Sequence, residues 1–280
     1  MTQDADIERT EIALLIEGIR RRYGYDFGNY SFSSLRRRME LVRDGAAFTR
    51  YTQMLDRIFH DEAYFDLLLR HMSVPVTEMF RDPAFYRAVR EHVVPSLKTF
   101  PFAKIWHAGC ATGQEAYSMA ILLHEEKFLS RARLYATDFN KHAIETAQNG
   151  VYSAENLKAY EVNYKAAGGV AALADYFNAG YDLAKIKDVL KERITFSYHN
   201  LVTDGVFGEM NMICCRNVMI YFDRTLQDRV LQLFAASLRH GGFLCLGNKE
   251  TLNFTAIREQ FEPVDAKQRV YRKIAGDTHV

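Results

Sequence analysis

The sequence predicts an α/β protein, a parallel sheet with flanking helices, with an all-helical N-terminal domain before it and an insertion within it. Three observations carry this. Short β-rich runs alternate with helical stretches after about residue 84, the first 72 residues show only helical periodicity, and a stretch from 155 to 193 breaks the alternation.

Taken in order, Ile12, Leu15, Ile16 and Ile19 recur on one helical face, and Leu35, Met39 and Val42 do so again. The stretch HMSVPVTEMFRDP, residues 71 to 83, holds two prolines that discourage helix in the residue before each. The expected domains are therefore 1–72, a linker at 73–83, and 84–280, with 155–193 inserted in the last. Expected strands are KIWHAG (104–109), RLYATD (133–138), ITFSYH (194–199), MNMICC (210–215) and GFLCLG (242–247). A helix is expected over about 223–240, capped by Asp223 and stopped by Gly241 and Gly242. Leu226, Val230, Leu233, Phe234 and Ser237 fall on one side of it. The insertion, including YFNAGYDLAKIK, is too long for a plain crossover.

Composition limits the function. With 48% hydrophobic and 25% charged residues, 16 Gly and 5 Pro, the 280-residue chain can bury a core, and no fixed-period repeat is visible. Thirty-six Lys plus Arg against 35 Asp plus Glu leave a net charge of +1, so nucleic acid is not the expected partner. No apolar stretch approaches the ~18 residues of a membrane span, and MTQDADIERTE is no signal peptide, so a soluble, cytoplasmic protein is expected. Cys110, Cys214, Cys215 and Cys245 form no CxxC pair, so neither a disulfide framework nor a metal site is indicated. One local bias stands out. Residues 1–72 contain no lysine, and residues 20–43 carry seven arginines against Asp26 and Glu40, a balance of +5. The triplet Arg36, Arg37 and Arg38 is either a solvated face or a docking surface for something acidic.

The chemistry gathers where strands end. AGCATGQEAYS (108–118) follows the first strand and opens a helix, with Gly109 and Gly113 allowing a tight turn, though the G-x-G-x-x-G spacing of dinucleotide sites is missing. A purely structural turn remains open. Asp138 ends the next strand, 25 residues after Gly113, where nucleotide-binding α/β folds place an acid for ribose hydroxyls. Such a carboxylate accepts two hydrogen bonds from a diol and repels a 2′-phosphate. A nucleoside without phosphates is favoured, and S-adenosyl-L-methionine fits; the alternative is that Asp138 merely caps a helix. CCRNVMIYFD (214–223) brings Arg216, Asn217 and Tyr221 near the same edge, although Tyr221 alone reads equally well as a half-buried aromatic. His107 is assigned no role.

These motifs together resemble the chemotaxis receptor methyltransferases, the CheR-type S-adenosylmethionine-dependent protein-glutamate O-methyltransferases. The resemblance runs through VTEMFRDP, GCATGQEAYS, ATDFN, FSYHNL, CRNVMIYFD and GGFLCLGNKETL. It implies a Rossmann-like methyltransferase sheet with a small inserted β-subdomain. It also implies roles: Thr77 and Arg81 of the linker at the cofactor and reaction centre, Glu115 near the methionyl part, and Asp138 on the ribose. Asn200 and Leu201 would flank adenine, Arg216 with Asn217 would supply further cofactor contacts, and Tyr221 would stand beside the transferred methyl. Catalysis would fall to Arg81 and Tyr221. Pro75 departs from the asparagine many relatives carry.

The implied partner is the cytoplasmic helical domain of chemotaxis receptors, docked through Arg36, Arg37 and Arg38, with S-adenosyl-L-homocysteine as the spent product. The run between Tyr176 and Ile194 is shorter than in relatives that hold a receptor C-terminal pentapeptide, so recognition without that tether, by a monomer, is expected. A small-molecule methyltransferase and a non-catalytic cofactor-binding module are the alternatives; a nicotinamide dehydrogenase is disfavoured by the glycine spacing.

Overall fold

The structure, a computed structural model, describes residues 3–72, 77–206 and 208–274, so Pro75 lies outside the described residues. The chain divides into two compact units, Met1–Val74 with Tyr221–Gln227, and Pro75–Ile220 with Asp228–Val280. The expected N-terminal domain is thus joined by a short segment from late in the chain.

The first unit is built on α1 (Gln3–Tyr23), α2 (Phe32–Gly45), α3 (Thr52–His60) and α4 (Glu62–Met72). Spacing identifies their buried faces: Ile12, Leu15 and Ile19 of α1 and Leu35, Met39 and Val42 of α2 are buried, while Ile16 is half-buried. The returning segment is held by backbone bonds, from the Ser31 N–H to the Tyr221 carbonyl (2.9 Å) and from the Asp223 N–H to the Asn29 carbonyl (2.8 Å). The Tyr30 ring packs edge-on against Phe222 at 5.1 Å.

The second unit begins with α5 (Pro83–Ala88), a π turn, and α6 (Val94–Leu97). It continues through β1 (Ala103–Ala108), α7 (Gln114–Glu125), β2 (Ala132–Asp138), α8 (Lys141–Asn149), β3 (Val151–Ser153), α9 (Ala154–Ala166), β4 (Phe177–Ala179), β5 (Leu183–Ile186) and α10 (Asp188–Lys191). The closing elements are β6 (Ile194–Tyr198), β7 (Met210–Cys215), α11 (Arg224–Ser237), β8 (Leu238–Leu246), β9 (Phe261–Asp265) and β10 (Val270–Lys273), with α11 starting in the returning segment. The main sheet runs β6-β2-β1-β7-β8-β10-β9. The first five, the five strands expected from sequence, pair in parallel, and β10 and β9 close the edge antiparallel. From β1 the chain goes outward to β2 and β6, then crosses back to β7 and β8. The loops after β1, β2, β6 and β7 therefore flank a topological switch point, where α/β sheets place ligands. The insertion forms its own antiparallel sheet, β3-β5-β4, whose first strand starts before residue 155.

The last long helix departs from expectation. Asp223 does cap it, its Oδ1 accepting the Leu226 N–H at 2.8 Å, but the helix stops at Ser237 instead of running to 240. Strand pairing takes over at Leu238, opposite Met210, and the buried Lys273 ammonium donates to the Ala235 and Leu238 carbonyls at 2.8 and 2.9 Å. Those bonds satisfy terminal carbonyls that the glycines were expected to release. Among the described residues no helix is long and apolar enough to cross a membrane.

At the switch point Gly109 has φ +76, and a Cβ there would meet Val218 Cγ2 at 2.5 Å. Gly109→Ala therefore combines backbone strain with overlap and should lower unfolding stability by about 1–3 kcal/mol in urea titration. Adding Val218→Ala should recover only part of the loss, since the overlap is relieved and the backbone strain is not.

Candidate cofactor site

The glycine loop is locked onto the end of β2. Backbone N–H groups of Gly109 and Cys110 donate to the Thr137 carbonyl at 2.8 and 2.9 Å, and the Ala111 N–H donates to Asp138 Oδ2 at 2.9 Å. The other Asp138 oxygen accepts the Asn140 N–H at 2.9 Å. Asp138 is buried; burial raises its pKa, although the N–H groups of Asn140, Ala111 and Phe139 pull the other way. The reading of Asp138 as a simple cap is replaced by a more specific one. Asn140 caps α8 by accepting from the His142 and Ala143 N–H groups, while Asp138 holds the glycine loop and keeps lone pairs for a further donor.

On the other side of β1, Arg216 ends β7 with its side chain 1% exposed. Its Nη2 lies 2.7 Å from Asp82 Oδ2, its Nη1 lies 3.2 Å from Glu115 Oε2, and its guanidinium stacks over the Phe85 ring at 4.0 Å. Glu115 stands in the first turn of α7, where an anion suits the helix dipole, and its Oε1 sits 2.9 Å from His107 Nδ1. Burial alone would raise the Glu115 pKa, but His107 and Arg216 outweigh it and hold the carboxyl below its usual range. His107, given no role from sequence, thus positions Glu115. His107, Glu115 and Cys214 also bring one donor atom each within 4.8 Å of one another. A metal ion there would have to displace both the Arg216 contact and the proton of Cys214, whose pKa burial pushes well up.

The remaining site residues are distributed as follows. Thr77 and Arg81 are half-buried in the linker, and Arg81 stands between two residues with left-handed backbone, Phe80 (φ 53) and Asp82 (φ 58). Ala111 (φ 48) and Asn217 (φ 62) share that conformation, so each of these segments turns through a strained residue. Asn200 and Leu201 follow β6 and are buried; Asn200 Oδ1 accepts the Val202 N–H at 3.0 Å, which commits that oxygen to a turn. Tyr221 falls in the helical unit, its ring beneath the Arg38 guanidinium at 4.1 Å. The arginine triplet is not one exposed face. Arg36 is exposed but paired with Glu8 at 2.7 Å, Arg37 is exposed, and Arg38 is buried because its position on α2 faces the helical core beside Leu35 and Met39.

Sequence reasoning missed Glu250. Its buried carboxylate accepts four backbone N–H groups: Gly247 (2.6 Å) and Asn217 (3.1 Å) on Oε2, Val218 (2.9 Å) and Met219 (2.8 Å) on Oε1. It thereby fixes the loop that carries Arg216 and Asn217. An acid soon after an apolar strand and a glycine, in GNKE, was the available signal.

Family models match two adjoining stretches of the chain: the all-alpha domain of the CheR methyltransferases over residues 10–73, and their SAM-binding domain over residues 75–270. The chain belongs to the CheR methyltransferase family. A Pseudomonas putida relative provisionally named methyltransferase Cher3 is 48% identical over 264 residues, covering 94% of this chain and 96% of its own. Chemotaxis protein methyltransferase 2 of Pseudomonas aeruginosa is 30% identical over 78% of this chain and 77% of its own. The Salmonella typhimurium chemotaxis protein methyltransferase is 29% identical over 76% and 72%. The CheR-type fold is therefore a Rossmann-like methyltransferase domain with an all-helical partner domain, and its cofactor is S-adenosyl-L-methionine.

The residues fit that cofactor. Asp82, Glu115 and Arg216 together carry one net negative charge, suited to a ligand bearing ammonium and sulfonium, and Asp138 adds a second buried anion able to accept from a diol. Among the described residues the buried Arg216 Nε has no partner, and it can donate to an acidic ligand group.

Two measurements check this architecture. Glu250→Gln turns an amide NH2 toward two of the four N–H groups in either orientation, and should cost about 1–3 kcal/mol of stability in urea titration. For Glu115, the depressed pKa means a stabilising contribution that is full above the usual 4.5 and is lost as pH falls through the lower folded value. Glu115→Gln should accordingly flatten the acid limb of the stability profile below about pH 4.5.

Proposed function

We propose that the chain transfers a methyl group from S-adenosyl-L-methionine to glutamate side chains of chemotaxis receptors, giving glutamyl 5-O-methyl esters and S-adenosyl-L-homocysteine during sensory adaptation. The observation that carries the reading is the pairing, in one chain, of the family's all-alpha domain with its SAM-binding domain. A small-molecule methyltransferase would leave the arginine-bearing helical domain without a use.

When bound, the cofactor supplies an electrophilic sulfonium methyl. The chain's residues do the rest. Asp138 receives the ribose hydroxyls, Glu115 with Arg216 and Asn217 receives the amino-acid end, Asn200 and Leu201 flank the adenine, and Thr77 completes the cofactor contacts. A glutamate with an ordinary pKa of about 4.3 is already anionic at neutral pH, so no general base is required. Catalysis then rests on positioning and on exclusion of water around the anion, the former contributing roughly 7–11 kcal/mol in favourable cases. Arg81 orients the incoming carboxylate, and Tyr221 offers a hydroxyl at the transferred methyl. Arg36 and Arg37 present positive charge to the acidic face of the receptor helices. Such receptor segments are cytoplasmic, so the chain acts in the cytoplasm, as a monomer. The shortness of the run between Tyr176 and Ile194 is the ground for recognition without a C-terminal pentapeptide.

Incubation with methyl-labelled cofactor and receptor cytoplasmic fragments tests this. Label that enters the receptor and is released by mild base is expected, whether or not the receptor's last five residues are present; base-stable label, or none, overturns it. Arg81→Ala and Tyr221→Phe should each lower turnover about tenfold or more while cofactor affinity changes less than about threefold. Receptor association should slow as ionic strength rises, and a salt-independent rate would remove Arg36 and Arg37 from docking.

A further inference from the structure

Arg38 lies on the same helix as the exposed Arg36 and Arg37 but faces inward, 4% exposed. Its Nη1 donates to the Met72 carbonyl at the end of α4, and among the described residues its Nε and Nη2 have no hydrogen-bond partner and no carboxylate is among the charges that act on it. Burying a guanidinium without a counter-ion is costly, and a neutral apolar residue would pack there without that cost. The feature the charge does serve is the Tyr221 ring, whose centroid is 4.1 Å from the guanidinium carbon. A delocalised, planar cation over an aromatic face gives both attraction and a fixed ring plane. Tyr221 is also held through its main chain, its carbonyl accepting from Ser31, and through its neighbour Phe222, which packs on Tyr30. All of these partners belong to the helical unit.

We propose that Arg38 is a positioning residue for Tyr221: its buried guanidinium clamps the tyrosine ring and ties it to the end of α4, and so sets the orientation of the hydroxyl that ring carries. This rests on the functional reading of Tyr221 given above and extends it. The arginine triplet then has two duties, Arg36 and Arg37 facing the receptor and Arg38 facing the tyrosine.

A kinetic double-mutant cycle between Arg38→Met and Tyr221→Phe, on the full chain, tests the assignment. Arg38→Met should lower kcat about tenfold, with KM for receptor within about twofold, and should have less than a twofold effect in the Tyr221→Phe background, because the hydroxyl it positions is gone. An equal loss in both backgrounds, or a rise in KM with kcat unchanged, overturns the proposal. Arg38→Lys serves as the folded control: it keeps the charge without the plane, and full wild-type kcat in this variant also overturns the clamp. If the wild-type chain methylates no receptor fragment, the functional reading fails instead. The clamp is then decided by the fluorine resonance of 3-fluorotyrosine at position 221. A line that broadens or splits in Arg38→Met supports it, and one as sharp and single as in the parent chain rejects it.

Discussion

The cofactor site depends on one buried cation. Arg216 holds three chain segments by one group: Asp82 from the linker, Glu115 from the first turn of α7, and its own position at the end of β7. A guanidinium can do this because it is planar and always charged, and presents donors in several fixed directions. Without it Asp82 and Glu115, both partly buried, would lose the cation they share and be left as neighbouring like charges. Without either acid the guanidinium would be a buried charge short of a partner, the more costly failure. The mutual dependence explains why an otherwise expensive cluster persists beneath the ligand edge of the sheet.

A second anion braces the same loop from behind. Arg216 is followed by Asn217 in left-handed conformation, and the turn exposes successive N–H groups that a strand would have paired. Glu250 collects those groups together with the N–H of Gly247. Burial makes its charge less favourable and the four donors make it more so, the balance leaving its carboxyl above the usual range. The glycine loop repeats the device, with Asp138 accepting from Ala111 and Asn140. In each case a carboxylate after a strand organises irregular backbone at the carboxyl edge, and that backbone aims the side chains of the candidate cofactor site.

Much of this was legible in the sequence, for physical reasons. The central strand β7, buried at every position, reads as an apolar run, and the partly exposed edge strand β6 showed itself by its β-branched and aromatic residues between turn signals, so all five were visible. Asp138 showed itself by standing at a strand end at a telling distance from the glycines. The failures are equally physical. Helix periodicity continues past Ser237, and nothing local reveals that Leu238 pairs with Met210 or that Lys273, 35 residues on, satisfies the helix end. Arg38 sits in a run of three arginines, and composition alone treats a run as one face, whereas helical geometry places successive residues about 100° apart and turns this one inward. Glu250 was invisible as an organiser because its partners are backbone groups some 30 residues away. His107 was passed over because a strand-end histidine usually packs, and it does pack, but against an acid that matters.

The buried Arg216 and Arg38 differ in what already neutralises them, and for the methyl transfer proposed above the difference bears on mechanism. When an anionic carboxylate takes a methyl from a sulfonium, two charges vanish, so a dry site favours the reaction as long as nothing traps the carboxylate on the way. Arg216 is a poor trap because Asp82 and Glu115 already surround it. Arg38 is a poor trap because it is enclosed, with the Met72 carbonyl on one side and the Tyr221 ring on another. Arg81 is half-buried between Phe80 and Asp82, both in left-handed conformation, and under the proposed function it is the arginine that orients the carboxylate. A cation that binds its substrate equally well before and during transfer adds affinity without speed. On that argument an arginine that orients the carboxylate must loosen its hold as the charge disappears, and the left-handed corner at Phe80 and Asp82 sets where the Arg81 backbone begins.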